Sequence, residues 1–418
     1  MHIAKVEIEN IRSIQKLNWS PPPDKLAGWH IILGNNGAGK STFLKSIALA
    51  LMGSEAAWGL RLEWDDWLRR GKEIGEIKCH VSGGPKATSA EREILQYRPF
   101  IQFKLERQKN SLDDDVSFGT ASSQIKIELP SIFFAGYGPF RRFGGKDSRS
   151  SKNSSERKLQ RCLSLFDESI ALTECLEWLR NLKFSSLESA DNIPFLERLK
   201  DFINHDNFLP SGVKLHDISS KGVAFKDGNE VEVQVENLSD GFRSILSMTL
   251  ELIRQLSLEF KNENIFSSDG NAIIASGVVL IDEIDVHLHP TWQQQIGQWF
   301  CDHFPNIQFI VTTHSPLVCQ SAEQGSIFVL PRIGSDESGH MLEGEELHRV
   351  LYGNVLDAYG TEAFGEKAAT TRSESSQNLS RRLCKLNNQE KLQGLSAEEK
   401  QEQLRIKGML PSKQGRDH

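Results

Sequence analysis

The sequence predicts an α/β protein in which a mixed sheet is flanked by helices and carries an antiparallel lobe and a helical insertion. Three observations predict it. Short, mostly apolar runs lie at 29–33 (WHIIL), 278–282 (VVLID) and 307–312 (IQFIVT), as suits strands buried on both faces. Helical apolar spacing follows the first two, with Phe43, Ile47 and Leu51 after one and residues 291–304 after the other. Segments at 76–81, 100–106 and 124–129 alternate apolar with polar residues, the pattern of antiparallel strands with one solvated face.

In chain order, Val6 and Ile8 alternate with Lys5, Glu7 and Glu9 as a first strand that turns at Asn10-Ile11-Arg12. Polar stretches at 83–90, 109–123 and 144–156 read as loops. Apolar spacing from 157 to about 205 is helical. After it come a strand at 230–235, a helix at 240–256, and the strands and helix already named. The tail from about 366 is polar, with two short helical patterns. One carries Leu379, Leu383 and Leu386; the other starts at Ser396, has Glu399 three residues on as in a capping box, and meets Gly408 as a stop. Four segments follow: 1–156, 157–228, 229–335 and 336–418. No internal repeat or long heptad run is present.

The bulk properties narrow the function classes. The 418 residues carry a net charge of −7, which speaks against a generally basic nucleic-acid coat while leaving room for a local patch. No apolar run approaches the ~18 residues of a membrane span. The first residues enter a strand pattern, so no signal peptide is expected. The six cysteines form no CxxC pair, so a disulfide framework or zinc site is not expected and a cytoplasmic location is.

Four short segments carry the chemistry. Gly34-Asn35-Asn36-Gly37-Ala38-Gly39-Lys40-Ser41, followed by Thr42, matches G-x-x-x-x-G-K-[ST] between a predicted strand and a predicted helix. Its glycines let backbone N–H groups curl around phosphate oxygens, and the helix adds its positive N-terminal end. Lys40 is expected to reach the β- and γ-phosphates of ATP, and the Ser41 hydroxyl to bind Mg²⁺. Val278-Val279-Leu280-Ile281-Asp282-Glu283 brings two carboxylates to a strand's C-terminal end. Asp282 is placed to hold Mg²⁺, and Glu283 to orient and deprotonate the attacking water. Thr312-Thr313-His314-Ser315 closes the next buried strand, where His314 is placed to sense the γ-phosphate. Asn237-Leu238-Ser239-Asp240-Gly241-Phe242-Arg243-Ser244 opens a helix, and in isolation is only a good cap and anion site.

The order of these motifs resembles the ABC-type ATPase heads of the SMC/RecF/OLD group. The stretch Ile281-Asp282-Glu283-Ile284-Asp285-Val286-His287-Leu288-His289-Pro290, with Tyr137-Gly138-Pro139-Phe140-Arg141-Arg142, is similar to defence-island AAA family ATPases, the Septu and retron-associated proteins among them. The resemblance covers roughly 1–45 and 230–330 well, and the lobe between only in outline. It implies a P-loop NTPase of ABC/SMC-like head type. Residues 1–156 would be its N-terminal half with the β lobe, 157–228 a helical insertion, 229–335 the C-terminal half, and 336–418 a helical tail able to dock a partner. It also implies a homodimer or higher even-numbered oligomer. Ser239 and Gly241 would contact the γ-phosphate held by the opposite protomer, and Asp285 would lie where the two sites meet. Asp240 and Phe242 depart from the transporters' Leu-Ser-Gly-Gly-Gln, which favours the SMC/RecF side. Gln102 is a weak candidate for the lobe glutamine that senses Mg²⁺.

The expected use is control of a partner nuclease or toxin in antiviral defence. A RecF-like DNA-repair clamp is the first alternative; a transport ATPase is the second, with the altered signature and the N-terminal strand pattern against it. The residues after 330 lack the Glu…Asp-x-Asp set of a self-contained OLD-type nuclease. His287 and His289 have no evident third ligand to make a metal site. For DNA, the candidates are Arg61, Arg69, Arg70 and Lys72 interleaved with Trp58, Trp64 and Trp67, and the run Arg141, Arg142, Lys146 and Arg149. Arg141 and Arg142 have nucleotide phosphate as their alternative target.

Overall fold

The computed structural model describes residues 1–83, 99–109, 114–122, 132–141, 154–170, 174–188, 193–205, 208–209, 212–219, 222–260, 265–332, 334, 338–359, 361–364 and 374–409. It forms two compact units, Met1–Ala358 and Tyr359–His418.

The chain opens with β1 (His2–Ile11) and β2 (Ile14–Trp19), an antiparallel pair, and continues into β3 (Gly28–Leu33), buried at every position. Helix α1 (Lys40–Trp58) follows. Then come β4 (Ile74–Ser82), β5 (Phe100–Lys109), β6 (Asp114–Ser122) and β7 (Phe134–Tyr137). After two short helical segments at Ser154–Gln160 and Leu163–Phe166 come α2 (Glu174–Glu188) and α3 (Ile193–Asn204). Three strands, β8 (Lys214–Ser219), β9 (Gly222–Lys226) and β10 (Glu232–Gln234), lead to α4 (Asp240–Glu259). The remainder of the first unit holds β11 (Gly277–Ile281), α5 (Pro290–His303), β12 (Ile307–Thr312), β13 (Gly325–Val329), β14 (His340–Met341) and α6 (Gly344–Tyr352). The second unit holds α7 (Glu374–Leu392) and α8 (Ala397–Met409).

The main sheet runs β14-β13-β3-β12-β11-β7. Four of its five strand pairings are parallel, and the fifth, β14 with β13, is antiparallel. Helices cover both faces, so the inner strands read as continuous apolar runs. On one face lies α1, whose Phe43, Leu44, Ile47 and Ala48 share a core with Val278, Leu280 and Ile310. On the other lies α5, with Phe300 stacked on Trp29 at 5.5 Å and against Phe309 at 4.8 Å. The lobe is a second sheet, β2-β1-β4-β5-β6, packed over the far side of α1. Gln308, fully buried in β12, stitches the two sheets: its amide accepts from Ile3 N at 2.7 Å and donates to Ile3 O at 2.9 Å.

Several local expectations change. Asp114–Ser122 is a strand within a stretch that polarity marks as loop. The anticipated strand at 124–129 lies outside the described residues. Within the segment expected to be a helical insertion, Lys214–Ser219 and Gly222–Lys226 form the antiparallel pair β8–β9, joined by β10 as a three-stranded sheet. Gly408 does not stop the last helix, which runs to Met409. The insertion is fastened to the main body by aromatic packing, with Phe208 against Trp299 at 5.1 Å and Trp299 Nε1 donating to Phe208 O at 2.9 Å. An ion pair between Glu174 and Arg254 at 2.6 Å fastens α2 to α4.

Candidate nucleotide-binding site

Four connections converge at the C-terminal edge of the parallel strands. The loop 34–39 leaves β3 and enters α1, with Gly39 as N-cap at φ 103°, a conformation a side chain would strain. Asn35, Asn36 and Gly37 are exposed, Gly34, Gly39 and Ser41 are partly so, and Ala38, Lys40 and Thr42 are buried. The Lys40 ammonium donates to Gly34 O at 2.9 Å and Asn35 O at 3.3 Å, so it is folded over its own loop. Burial lowers its pKa, while the charges of Glu283, Asp282 and Asp285 oppose that effect. The three carboxylates therefore lie within electrostatic reach of the lysine.

Asp282 is buried just beyond β11. Thr312 on the adjacent β12 donates its hydroxyl to Asp282 Oδ1 at 2.5 Å and accepts from Glu283 N at 2.8 Å. One threonine thus sets both the carboxylate and the backbone that follows. Thr313 Oγ1 donates to Asp285 Oδ1 at 2.5 Å, and Ser315 Oγ donates to Gln293 Oε1 at 2.6 Å. Burial, then the like charges of Asp282 and Asp285, raise the Glu283 carboxyl above its ordinary 4.5. Burial and then Lys40 lower His314 below its ordinary 6.5, which leaves the imidazole neutral at pH 7.

The signature segment meets the same edge. Ser239 is the N-cap of α4, yet its hydroxyl makes no capping bond, unlike Ser315, which accepts from Leu317 N. Gly241 is required by proximity: a Cβ there would lie 2.4 Å from His287 O. The motif 237–244 and the turn 285–288 therefore touch within one chain. His289 caps α5 by accepting from Thr291 N, so its ring serves the helix.

Among the described residues, no cluster of three or more His, Cys, Asp or Glu side chains could hold a metal alone. Mg²⁺ needs no such cluster, since it binds through one or two protein oxygens plus nucleotide phosphates. Asp282 and Ser41 are the residues present to supply those oxygens.

Some candidates have other duties. Gln102 sits near the start of β5 and donates its amide to Glu76 on β4. Trp67 is core, with the Arg12 guanidinium 4.4 Å above its ring, and Arg69 donates to the carbonyls of Arg12 and Ser13. Trp64 packs on Phe118 at 3.9 Å, while Trp58 is 69% exposed. Arg141 is buried, and its guanidinium donates to Gly138 O, Asp282 O, Glu283 O and Ile284 O and to Ser244 Oγ, at 2.8–3.3 Å. Arg142, Lys146 and Arg149 lie outside the described residues. The sequence reading missed the duties of Thr312 and Arg141; the only hint was a basic pair after Gly-Pro.

Residues 145–320 match a family described as "AAA domain, putative AbiEii toxin, Type IV TA system". A Septu protein PtuA of Bacillus mycoides is 28% identical over 331 residues, 78% of this chain and 40% of that protein. A Septu protein PtuA of Bacillus thuringiensis is 24% identical, over 84% of this chain and 80% of that protein. The Retron Ec83 probable ATPase of Escherichia coli is 44% identical over 104 residues, 25% of this chain and 18% of that protein. The match thus spans well under two thirds of the first and third of these relatives. A solved SMC head bound to the C-winged helix domain of ScpA aligns over 84% of this chain and 100% of its own, with 15% identity and a TM-score of 0.48. The chain thus carries a P-loop sequence, matches an AAA-domain model over 145–320, and is similar to Septu PtuA proteins and retron ATPases.

Proposed function

We propose that this chain binds ATP with Mg²⁺, hydrolyses it, and uses the cycle to open and close a pair of heads that controls a partner nuclease or toxin in antiviral defence. One arrangement carries the chemistry: Thr312 and Thr313 hold Asp282 and Asp285 where β12 ends, Lys40 folds over the loop that leaves the adjacent β3, and the Ser239 hydroxyl makes no capping bond to its own helix. Lys40 exchanges its two loop carbonyls for phosphate oxygens. Ser41 and Asp282 would hold Mg²⁺, which would neutralise phosphate charge. Glu283, made more basic than a free carboxylate, takes a proton from the attacking water. Neutral His314 hydrogen-bonds near the terminal phosphate. Ser239 and Gly241 of a second protomer complete the site, so association requires ATP and hydrolysis reverses it. The names of the relatives support the defence setting, and the C-terminal region 336–418 is the proposed docking surface for the effector.

The test combines phosphate release with mass photometry. Wild-type protein should turn over ATP, and Glu283→Gln should bind ATP, fail to hydrolyse it and accumulate as a dimer. Fast turnover by Glu283→Gln removes the assignment of the base, and a monomer at saturating ATP removes the paired site. Capture with the Glu283→Gln protein from the native host tests the effector: recovery of a nuclease or toxin supports it, whereas DNA and repair proteins alone favour a clamp.

A further inference from the structure

Arg141 is a fully buried cation that makes no ion pair with a carboxylate among the described residues. All five of its hydrogen bonds go to neutral oxygens. Such a group is expensive to bury and is kept only where its geometry matters. Its planar fork reads three consecutive carbonyls, Asp282 (2.8 Å), Glu283 (3.2 Å) and Ile284 (3.3 Å), which is the turn that carries the proposed base. Within that turn Glu283 has φ 46°, a left-handed conformation that a non-glycine residue holds only when its surroundings enforce it. A fourth bond, to Gly138 O at 3.0 Å, anchors the guanidinium at the end of β7. The fifth, from Nε to Ser244 Oγ at 3.2 Å, reaches the first turns of α4, the helix that begins at the signature.

We propose that Arg141 is a positioning residue that couples the signature helix to the catalytic turn, setting the aim of Glu283 according to where α4 sits. The inference rests on the ATPase reading given above. In a closed pair, nucleotide pressing on Ser239 displaces the start of α4, and Ser244 passes that displacement through one guanidinium to the carbonyls of 282–284. Burial brings the guanidinium down to about 10, still charged at pH 7, and the nearby carboxylates of Asp282, Asp285 and Glu283 help keep it so. Lysine in its place has one nitrogen and cannot span four carbonyls and a hydroxyl.

The experiment uses the full chain carrying Arg141→Lys or, more gently, Ser244→Ala, which removes only the link to α4. ATP affinity, kcat and backbone hydrogen exchange are measured for each. A misaimed base predicts ATP affinity within about threefold of wild type and a kcat lower by about tenfold or more. Exchange should speed up together in 240–248 and 281–288 in Arg141→Lys. In Ser244→Ala kcat should fall while 281–288 stays protected. Wild-type kcat and exchange in a folded Arg141→Lys protein overturn the proposal, and so does an equal loss of affinity and kcat, which would mean a general collapse. If wild-type protein shows no hydrolysis, the ATPase reading fails separately. The exchange data then decide the tie: joint loosening of the two segments supports it, and independent behaviour refutes it.

Discussion

Glu283 carries its carboxylate on a left-handed backbone, beside Asp282 and within reach of Asp285. Burial, and then the like charges of Asp282 and Asp285, make it a stronger base than a free carboxylate. Because the deprotonated form is the active one, kcat should fall on the acid side with a midpoint above the ordinary carboxyl value. Asp285→Asn, which can still accept from Thr313, should move that limb to lower pH in a pH–rate profile. An unmoved limb would show that Asp285 does not tune the base. The identities of these residues were legible in sequence because a P-loop, a carboxylate pair and a Thr-His pair each follow a strand. Their supports were not. Thr312 works through a hydroxyl whose partners lie on another strand, and Arg141 through carbonyls that any sequence would offer. Arg141 also shows why a basic pair is ambiguous from sequence: one of its two members is sealed inside the protein.

At the level of elements, β3, β11 and β12 were readable because both of their faces are buried. β6 was not, since Val116 and Phe118 stand among Asp, Ser and Gly and only pairing with β5 makes a strand of them. The β8–β9 pair was hidden for a different reason: a register shift between Leu215 and Asp217 breaks the period of two. The capping box at the start of α8 was read correctly. Ser396 N donates to Glu399 Oε2 at 2.9 Å and Glu399 N to Ser396 Oγ at 3.2 Å. Ser396→Ala should weaken this helix start by about 1 kcal/mol, seen as roughly fivefold faster amide exchange at 397–400. In the same unit, Leu386 and Ile406 are buried and Arg382 pairs with Glu402 at 2.6 Å, which joins the two helices as a hairpin. Gly241→Ala presents a different test. Its Cβ would collide with the His287 carbonyl, so the melting temperature and kcat should drop while ATP affinity, set at the P-loop, changes little; normal turnover would show that the contact gives way freely.

For the first unit as a whole, two histidines tie stability to pH. His2 donates from Nε2 to Asn306 O, and His30 bridges Leu26 O and Ser326 Oγ, both as neutral rings. Burial lowers each from 6.5 to about 4. The unfolded chain therefore binds protons that the folded chain refuses. Stability is full above pH 6.5 and is lost as pH falls toward 4, by up to about 3 kcal/mol per group. The urea midpoint should decline across that window, and His30→Asn should flatten the decline; a midpoint constant from pH 7 to 4.5 would contradict it.

Arg141, beyond the end of β7, and Ser244, in α4, are joined by one hydrogen bond, in addition to the contacts Phe208–Trp299 and Glu174–Arg254 that the stretch between them makes. That stretch is therefore a loop tied at its neck. Chain added within a tied loop is thermodynamically inexpensive, about 0.6 kcal/mol for each doubling of length, and the knot keeps the catalytic turn indifferent to it. An insertion made within the tied stretch should therefore leave kcat within about twofold of wild type in a phosphate-release assay; a large fall would show that the tie does not isolate the catalytic turn.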